Sequence, residues 1–273
     1  MVLGFRSRPS HVAQNIIVGL DFDGTIAYGH HLRVEYARKF YGVNLTLKQT
    51  LHKNWPKQLG EERFRQMVRV VESEYMMMQN VAPGCKEVLN RLYMQGFRFA
   101  VITARILSEE EVQAGLKILD VKRMAAETRE KNSVVKFITH HQLPIDYLHF
   151  TNQDPKKVLC GRLRARAFID DDLKYLLPLA ETFVKPFFIR QPWNEDESTP
   201  PKESGVVTVS NWLQFERWML YMKEMHEAIC YFNGWENAYY NLQKIAGFWI
   251  NRHDVCLRHL EDYRKQKSAA AVR

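Results

Sequence analysis

The chain has 273 residues, 46% hydrophobic and 26% charged, and its 39 Lys and Arg against 31 Asp and Glu leave a formal net charge of +8. At roughly 150 residues per domain this length holds one large domain or two small ones, which excludes a disulfide-stapled miniprotein. No apolar run approaches the ~18 residues needed to cross a bilayer, which excludes a membrane-spanning helix.

In chain order, the first fifteen residues carry Arg6, Ser7 and Arg8 and no acid. That is the composition of a short organellar transit peptide, although a plain disordered terminus is the simpler reading, and the expected compartment is the cytoplasm with an organellar matrix as the alternative. Residues 15–21, rich in β-branched side chains, read as a buried strand that ends at Asp21-Phe-Asp-Gly-Thr25 and delivers two carboxylates into a loop. From about 32 to 80 the pattern is mostly helical, with Leu32, Tyr36 and Phe40 on one spacing and Phe64, Met67, Val68 and Val71 on another, broken at Asn54-Trp-Pro and Leu59-Gly60. Pro83-Gly84 then punctuates the chain.

Beyond it a helix carrying Val88, Leu89 and Leu92 leads to a strand at Phe97–Thr103. Ser108 followed by three glutamates is a helix N-terminus signal. Tyr147–Thr151 is a candidate strand, Lys156–Leu163 a helix, Ala165–Asp170 a strand ending in three consecutive acids, and Phe183–Ile189 the last short strand before a loop at 194–204. Strands alternating with helices predict an α/β fold with a doubly wound, mainly parallel sheet, in which ligands bind beyond the carboxyl ends of the strands. Residues 211–263 differ: Trp212, Trp218, Tyr231, Trp235, Tyr239, Tyr240, Phe248 and Trp249 recur on helical spacings. Such a stripe reads first as packed core and second as a surface for an oligomer or partner.

The four cysteines, Cys85, Cys160, Cys230 and Cys256, lack any CxxC pair and read as buried thiols of a reducing compartment. The positive charge is diffuse, +4 over residues 1–83, +2 over 84–215 and +2 over 216–273. A nucleic-acid face concentrates its cations. The densest run here, Lys156, Lys157, Arg162, Arg164 and Arg166, reads first as the solvated side of a helix, and a nucleic-acid groove comes second.

Three strand ends offer the same chemistry. Asp21 and Asp23 follow the first, Thr103-Ala104-Arg105 the second, and Asp170-Asp171-Asp172 a later one, with Lys156 and Lys157 on the helix before it. Carboxylates gathered at one sheet edge repel each other, and a divalent cation relieves that repulsion; hard oxygen ligands favour Mg²⁺. A lone DxD is usually a solvated turn or a helix cap, but the recurrence at successive strand ends argues for one site.

These residues resemble the four ordered motifs of the haloacid dehalogenase superfamily: Asp21-Phe-Asp-Gly-Thr25, Thr103 after a strand, a downstream Lys, and Ile169-Asp-Asp171. Tyr41-Gly-Val-Asn-Leu-Thr46, Ile102-Thr-Ala-Arg105 and Arg190-Gln-Pro-Trp-Asn194 are further similar to its five-prime nucleotidase branch. The resemblance covers about residues 15–215. It implies a Rossmann-like phosphatase core at 1–26 and 83–215 and a helical cap at 27–82; it is silent about residues 216–273, which read from their helical spacings as an α-helical C-terminal extension. It also implies that Asp21 is the nucleophile that forms an aspartyl-phosphate and Asp23 the acid and base. Thr103 and a Lys would then steady the phosphoryl group, and Asp21, the Asp23 carbonyl and Asp170 or Asp171 would hold Mg²⁺.

Lys156 ranks above Lys157 because its spacing to Asp170 is nearer the family's, and Asp172 reads as a helix cap or as a group supporting the ligands. Thr25, Ala104, Arg105, Lys157 and Trp55 are candidate substrate-binding residues. Trp55, Tyr41, Tyr75 and Phe22 are candidates for stacking on a base, with packing as the alternative for Tyr41 and Tyr75. His30-His31 reads as a polar turn ahead of a leaving-group or weak metal contact. The expected activity is Mg²⁺-dependent hydrolysis of a small phosphate ester, a nucleoside or deoxynucleoside monophosphate first. An adaptor scaffold docking on a larger, RNA-containing assembly and a nucleic-acid-end phosphatase are the competing readings.

Overall fold

The computed structural model describes residues 16–225 apart from 52–53, 108, 114, 116, 125–131 and 152–153. The basic N-terminus and the aromatic residues from Tyr231 onward lie outside the described residues.

Strand β1 (Ile16–Leu20) is the middle of a seven-stranded sheet. On one side it pairs in parallel with β4 (Phe97–Thr103), which pairs with β6 (Tyr147–Phe150). On the other side it pairs with β7 (Ala167–Asp170), followed by β8 (Lys185–Ile189) and β9 (Val207–Val209), all parallel. The edge strand β5 (Ile118–Asp120) runs antiparallel to β6. The sheet order β5-β6-β4-β1-β7-β8-β9 is that of a doubly wound, Rossmann-like α/β fold. The central strands carry near-continuous apolar runs because both faces are covered: Val18, Leu20, Phe99 and Val101 belong to one core, and Ile102, Phe168 and Phe188 to the other.

Two corrections concern the sheet. The strand expected to be the last begins at Lys185 and is followed by β9, a three-residue run after Gly205 too short to stand out as a period. β5 also went unread, being three residues long with no alternation.

Helices α1 (His30–Tyr41), α2 (Glu61–Ser73), α3 (Cys85–Met94) and α4 (Glu109–Gln113) follow the predicted order. α3 buries Cys85, Val88, Leu89 and Leu92, the spacing of a helix with one face on the sheet. Helix α5 (Ser133–His140) was not anticipated, although Asn132 caps it by accepting from the Val134 and Val135 amides. α6 (Lys156–Leu163) and α7 (Leu173–Leu176) flank β7. His30-His31 is not a polar turn but the first turn of α1, with His30 buried. Phe40, expected on the buried stripe of that helix, is half exposed.

The segment between Ala27 and Ala82 packs around its own apolar cluster, Leu32, Tyr36, Ala37, Leu45, Leu59, Phe64, Met67, Val68 and Val71. The two-residue strands β2 (Ala27–Tyr28) and β3 (Asn80–Val81) pair antiparallel where this segment leaves and rejoins the sheet domain.

A final helix, α8, spans residues 212–225. Its Trp212, Phe215 and Met219 are buried in the main core, Phe215 stands edge-on to Phe187 at 5.2 Å, and Glu216 accepts two hydrogen bonds from Arg91 at 2.7 Å each. The first aromatics of the C-terminal stripe are therefore core, as the packed reading expects. Replacing Trp212 with Ala should cost about 3–5 kcal/mol of stability, the usual range for truncating a buried aromatic, read as a lower midpoint in urea unfolding. An unchanged midpoint would show that α8 does not hold the sheet domain together.

Candidate active site at the carboxyl edge of the sheet

The fold places the motif residues at neighbouring strand ends. Asp21 follows β1, its amide still bonded to Ile169 O at 2.9 Å; Thr103 ends β4, and Asp170 ends β7. Lys156 opens α6 after Pro155, which sits at the N-cap.

Lys156 Nζ donates to Asp21 Oδ1 at 2.5 Å and to Asp170 Oδ2 at 2.7 Å, with all three side chains buried. The Tyr175 ring lies 4.1 Å from the ammonium. Burial works against the Lys156 charge, yet Asp170 and Asp21 outweigh it and hold its pKa far above the usual lysine range. Lys157, one step around the helix, is half-buried and 3.5 Å from Glu181. The structure therefore brings Lys156, and not Lys157, to the carboxylates.

Asp21, Asp170 and Asp171 each offer a carboxylate oxygen within 4.8 Å of the others. One ammonium balances only part of that charge. Burial, followed by repulsion from Asp170, raises the Asp21 pKa well above the ordinary range; burial also raises Asp170. Asp171 is pushed up to about 8 by burial and by Asp170, although the Trp193 N–H bond pulls the other way. Three hard oxygen donors with an uncompensated charge, close enough to share one ion, fit a divalent cation of the Mg²⁺ type. Asp172 caps α7, accepting from the Lys174 amide at 2.9 Å, as expected.

Gly24 makes the close approach possible. Its φ is +84°, and a Cβ placed there would stand 2.3 Å from Asp171 Oδ2. Thr25 is fully buried, and its hydroxyl has no partner among the described residues.

Asp23 takes a different partner from Asp21. Arg105 donates Nη2 to Asp23 Oδ1 at 2.6 Å and Nε to Oδ2 at 2.8 Å, a two-point pair, and its backbone amide donates to Thr103 Oγ1 at 3.2 Å. Burial alone would raise Asp23, but Arg105 reverses this and holds its carboxyl below the usual value. Ala104, between Thr103 and Arg105, is exposed.

The aromatic residues considered for stacking on a base all meet protein rings, the packing reading favoured for Tyr41 and Tyr75. Phe22 is fully buried edge-on to Phe137 at 5.4 Å, Trp55 stacks on Phe64 within the 27–82 segment, and Tyr41 and Tyr75 both meet Tyr36. Of the four, Phe22 alone borders the carboxylates, its ring centroid 5.1 Å from the Arg105 guanidinium that binds Asp23.

No protein-family model matches the sequence, and no curated protein matches it. Solved structures with a similar fold include a predicted phosphoglycolate phosphatase from Haemophilus somnus, 16% identical over 76% of this chain and 98% of that one, with a TM-score of 0.47. A HAD family hydrolase from Deinococcus radiodurans with bound phosphate and sodium is 12% identical over 76% and 96%, TM-score 0.48. A predicted phosphatase from Clostridium acetobutylicum is 14% identical over 76% and 98%, TM-score 0.48.

Several contacts around the site escaped the sequence reading, although Arg105 was among its candidates. Arg105 Nη1 also donates to Glu72 O at 2.6 Å and to Ser133 Oγ at 3.3 Å, so it bridges the sheet domain and the 27–82 segment. Glu72 in turn accepts from Arg33 at 2.7 Å. The loop after β8 supplies Trp193, whose Nε1 donates to Asp171 Oδ2 at 2.6 Å, and Asn194, whose Nδ2 donates to Asp171 O at 2.9 Å. Gln191 Nε2 donates to Gly24 O at 3.1 Å. The sequence signal for this loop was Gln-Pro-Trp-Asn directly after a strand that ends beside the acids.

Two outcomes follow from the electrostatics and the backbone. A carboxyl whose folded pKa is near 8, against about 3.9 unfolded, adds stability that is complete below the lower value and is lost as pH rises to the upper one. With divalent cations chelated, the melting temperature should therefore fall between about pH 7 and 8.5, a window in which histidines are already neutral in the unfolded chain. A flat profile there would contradict the excess of buried negative charge. Gly24→Ala should lose about 1–3 kcal/mol to backbone strain and displace Asp171 as well, and both are measurable by unfolding and by divalent-cation titration.

Proposed function

We propose that the protein is a Mg²⁺-dependent phosphomonoesterase that hydrolyses a small phosphate ester through an aspartyl-phosphate on Asp21. The observation that carries this reading is the meeting of Asp21, Asp170, Asp171 and Lys156 at the carboxyl edge of the sheet. Thr103 and the Asp23–Arg105 pair stand at adjacent strand ends. Asp21, the Asp23 carbonyl, Asp170 and Asp171 would hold the cation, which when bound offsets the negative charge of the phosphoryl oxygens.

The chain's own residues then divide the work. An Asp21 carboxylate oxygen forms a bond to phosphorus as the bond from phosphorus to the leaving oxygen breaks. Asp23 gives a proton to that leaving oxygen, then takes one from a water that attacks phosphorus and releases Asp21 and inorganic phosphate. Lys156 holds Asp21 in place and offsets the growing charge, and the Thr103 hydroxyl hydrogen-bonds a phosphoryl oxygen. Asp23 cannot give a proton while Arg105 occupies both of its oxygens. The entering phosphate, a stronger anion for a guanidinium, would draw Arg105 away and free Asp23.

The 27–82 segment acts in this reading as a cap that selects the leaving group. It holds nine Lys and Arg against five Asp and Glu, a net +4 that suits an anionic substrate. The substrate class we assign is a nucleoside or deoxynucleoside monophosphate, on the branch-like motifs and this charge; stacking by Trp55, Tyr41, Tyr75 or Phe22 does not support it.

A phosphate-release screen over monophosphates, with and without Mg²⁺, tests the reading. Asp21→Asn should abolish release, Lys156→Ala should reduce it by at least a hundredfold, in keeping with lost transition-state charge stabilisation of about 3 kcal/mol, and Lys157→Ala should leave it near wild type. No release from any monophosphate, with Asp21→Asn indistinguishable from wild type, would refute an enzymatic role.

A further inference from the structure

Trp193 stands where the sheet domain, the candidate cation site and the 27–82 segment meet. It is buried, and its indole N–H, which can only donate, holds one oxygen of Asp171 at 2.6 Å. Its ring is stacked on the His30 imidazole, centroids 3.9 Å apart and planes within 18°, with Tyr28 at 4.9 Å. His30 is the first residue of α1 and Tyr28 lies on β2, so both neighbours belong to the 27–82 segment.

The loop that carries Trp193 is fixed independently of that stack. Asn194 Nδ2 donates to Asp171 O and to Ile189 O, and Asn194 Oδ1 accepts from the Gln191 amide at 2.8 Å. With the loop backbone held, what remains adjustable is the tilt of the indole, and the surface against which it rests is His30. That imidazole is itself pinned. Thr50 Oγ1 donates its single hydrogen to Leu47 O, so the 2.6 Å contact between His30 Nδ1 and Thr50 Oγ1 requires His30 to be the donor. Burial, then the nearby Arg33, lowers the His30 pKa and so favours the neutral ring.

We propose that Trp193 is a positioning residue: it orients the Asp171 carboxylate for the divalent cation and links that orientation to the seating of α1 through the His30 stack. The inference rests on the reading of Asp21, Asp170 and Asp171 as cation ligands. Groups that orient a metal-binding carboxylate typically change metal affinity 10–100-fold when removed. When the segment is seated, His30 backs the indole and Asp171 is held; when α1 lifts, the indole loses its support and the carboxylate its fixed direction. Cation affinity therefore reports whether the segment is closed.

The test is Mg²⁺ binding to the full chain by calorimetry, with the Mg²⁺-induced shift in melting temperature as a second reading. Trp193→Phe keeps a ring against His30 and removes only the N–H, and should weaken Mg²⁺ by about 10–100-fold. At saturating Mg²⁺ its KM for the phosphate ester should stay at the wild-type value. His30→Ala should weaken Mg²⁺ several-fold, and His30→Phe, which restores a flat ring without the Thr50 bond, should recover it. Wild-type affinity in Trp193→Phe, even with a lowered melting temperature, would overturn the orienting role. Wild-type affinity in His30→Ala, or no recovery in His30→Phe, would overturn the link to α1. Should Trp193→Phe fail to fold, the His30 pair decides. If the wild-type chain itself binds no Mg²⁺, the cation-site reading falls, a result distinct from equal binding by wild type and variant.

Discussion

Everything at the carboxyl edge of the sheet depends on how three buried carboxylates are balanced by one ammonium. Lys156 reaches Asp21 and Asp170 from the start of α6, so its charge is delivered where β1 and β7 end. Asp171 has no such partner: it accepts one neutral N–H from Trp193 and lies against Gly24. Burying an acid without a counter-charge raises its pKa or calls for a cation. The site thus has one carboxylate more than its ammonium can satisfy, and the missing charge is what a divalent ion would bring. Among the described residues Lys156 is the cation that the cluster contacts directly, so one side chain would both hold the site and serve the proposed chemistry.

The second consequence is that the 27–82 segment is tied to the site from two directions. Arg105 joins Asp23 to the carbonyl of Glu72, and Trp193 joins Asp171 to His30. Both ties begin at an acid of the site and end on the 27–82 segment. The exposed pair Lys48–Asp196, which also crosses between the two parts at 2.8 Å, adds little by comparison because solvent screens it. Any movement that opens the site must therefore loosen the buried contacts, and the acids feel that movement directly.

The sheet and the acids were legible because their signals are local. Phe99–Ile102 is a continuous apolar run within β4, and Asp21, Asp23 and Asp170 sit at or just beyond the ends of such runs, so strand and site could be read together. Lys156 ranked above Lys157 only through the spacing of the resembled family, and the fold decides between them by placing Lys156 on Asp21 and Asp170. What was hidden depends on distance in sequence. Trp193 reaches back 22 residues to Asp171, Arg105 reaches 82 residues to Asp23, and His30 finds Thr50 20 residues on. No period or cap predicts such pairs. The aromatic candidates were ambiguous for a related reason: Trp55 and Phe22 look alike on paper whether they meet a base or a neighbouring ring, and only the fold shows Phe64 and Phe137 beside them. The short elements β5 and β9, three residues each, fall below the length at which alternation can be recognised.

The charge that first drew attention also changes meaning once partners are known. Within the segment, Arg33 is paired with Glu72 and Arg65 with Glu61, so part of its basic character is structural. Pairing does not alter the net charge, and beyond a Debye length of about 8 Å an approaching anion senses the sum rather than the individual groups. At shorter range the sum matters less than which cations can exchange partners. Lys156 is bound by two buried acids, while Arg105 is bound by one carboxylate that the proposed reaction needs free. In the proposed reaction long-range attraction and local recognition would therefore fall to different residues: the diffuse charge of the segment would draw a phosphate toward the site, and Arg105, held by the carboxylate that the reaction needs free, would be the cation to change partners there.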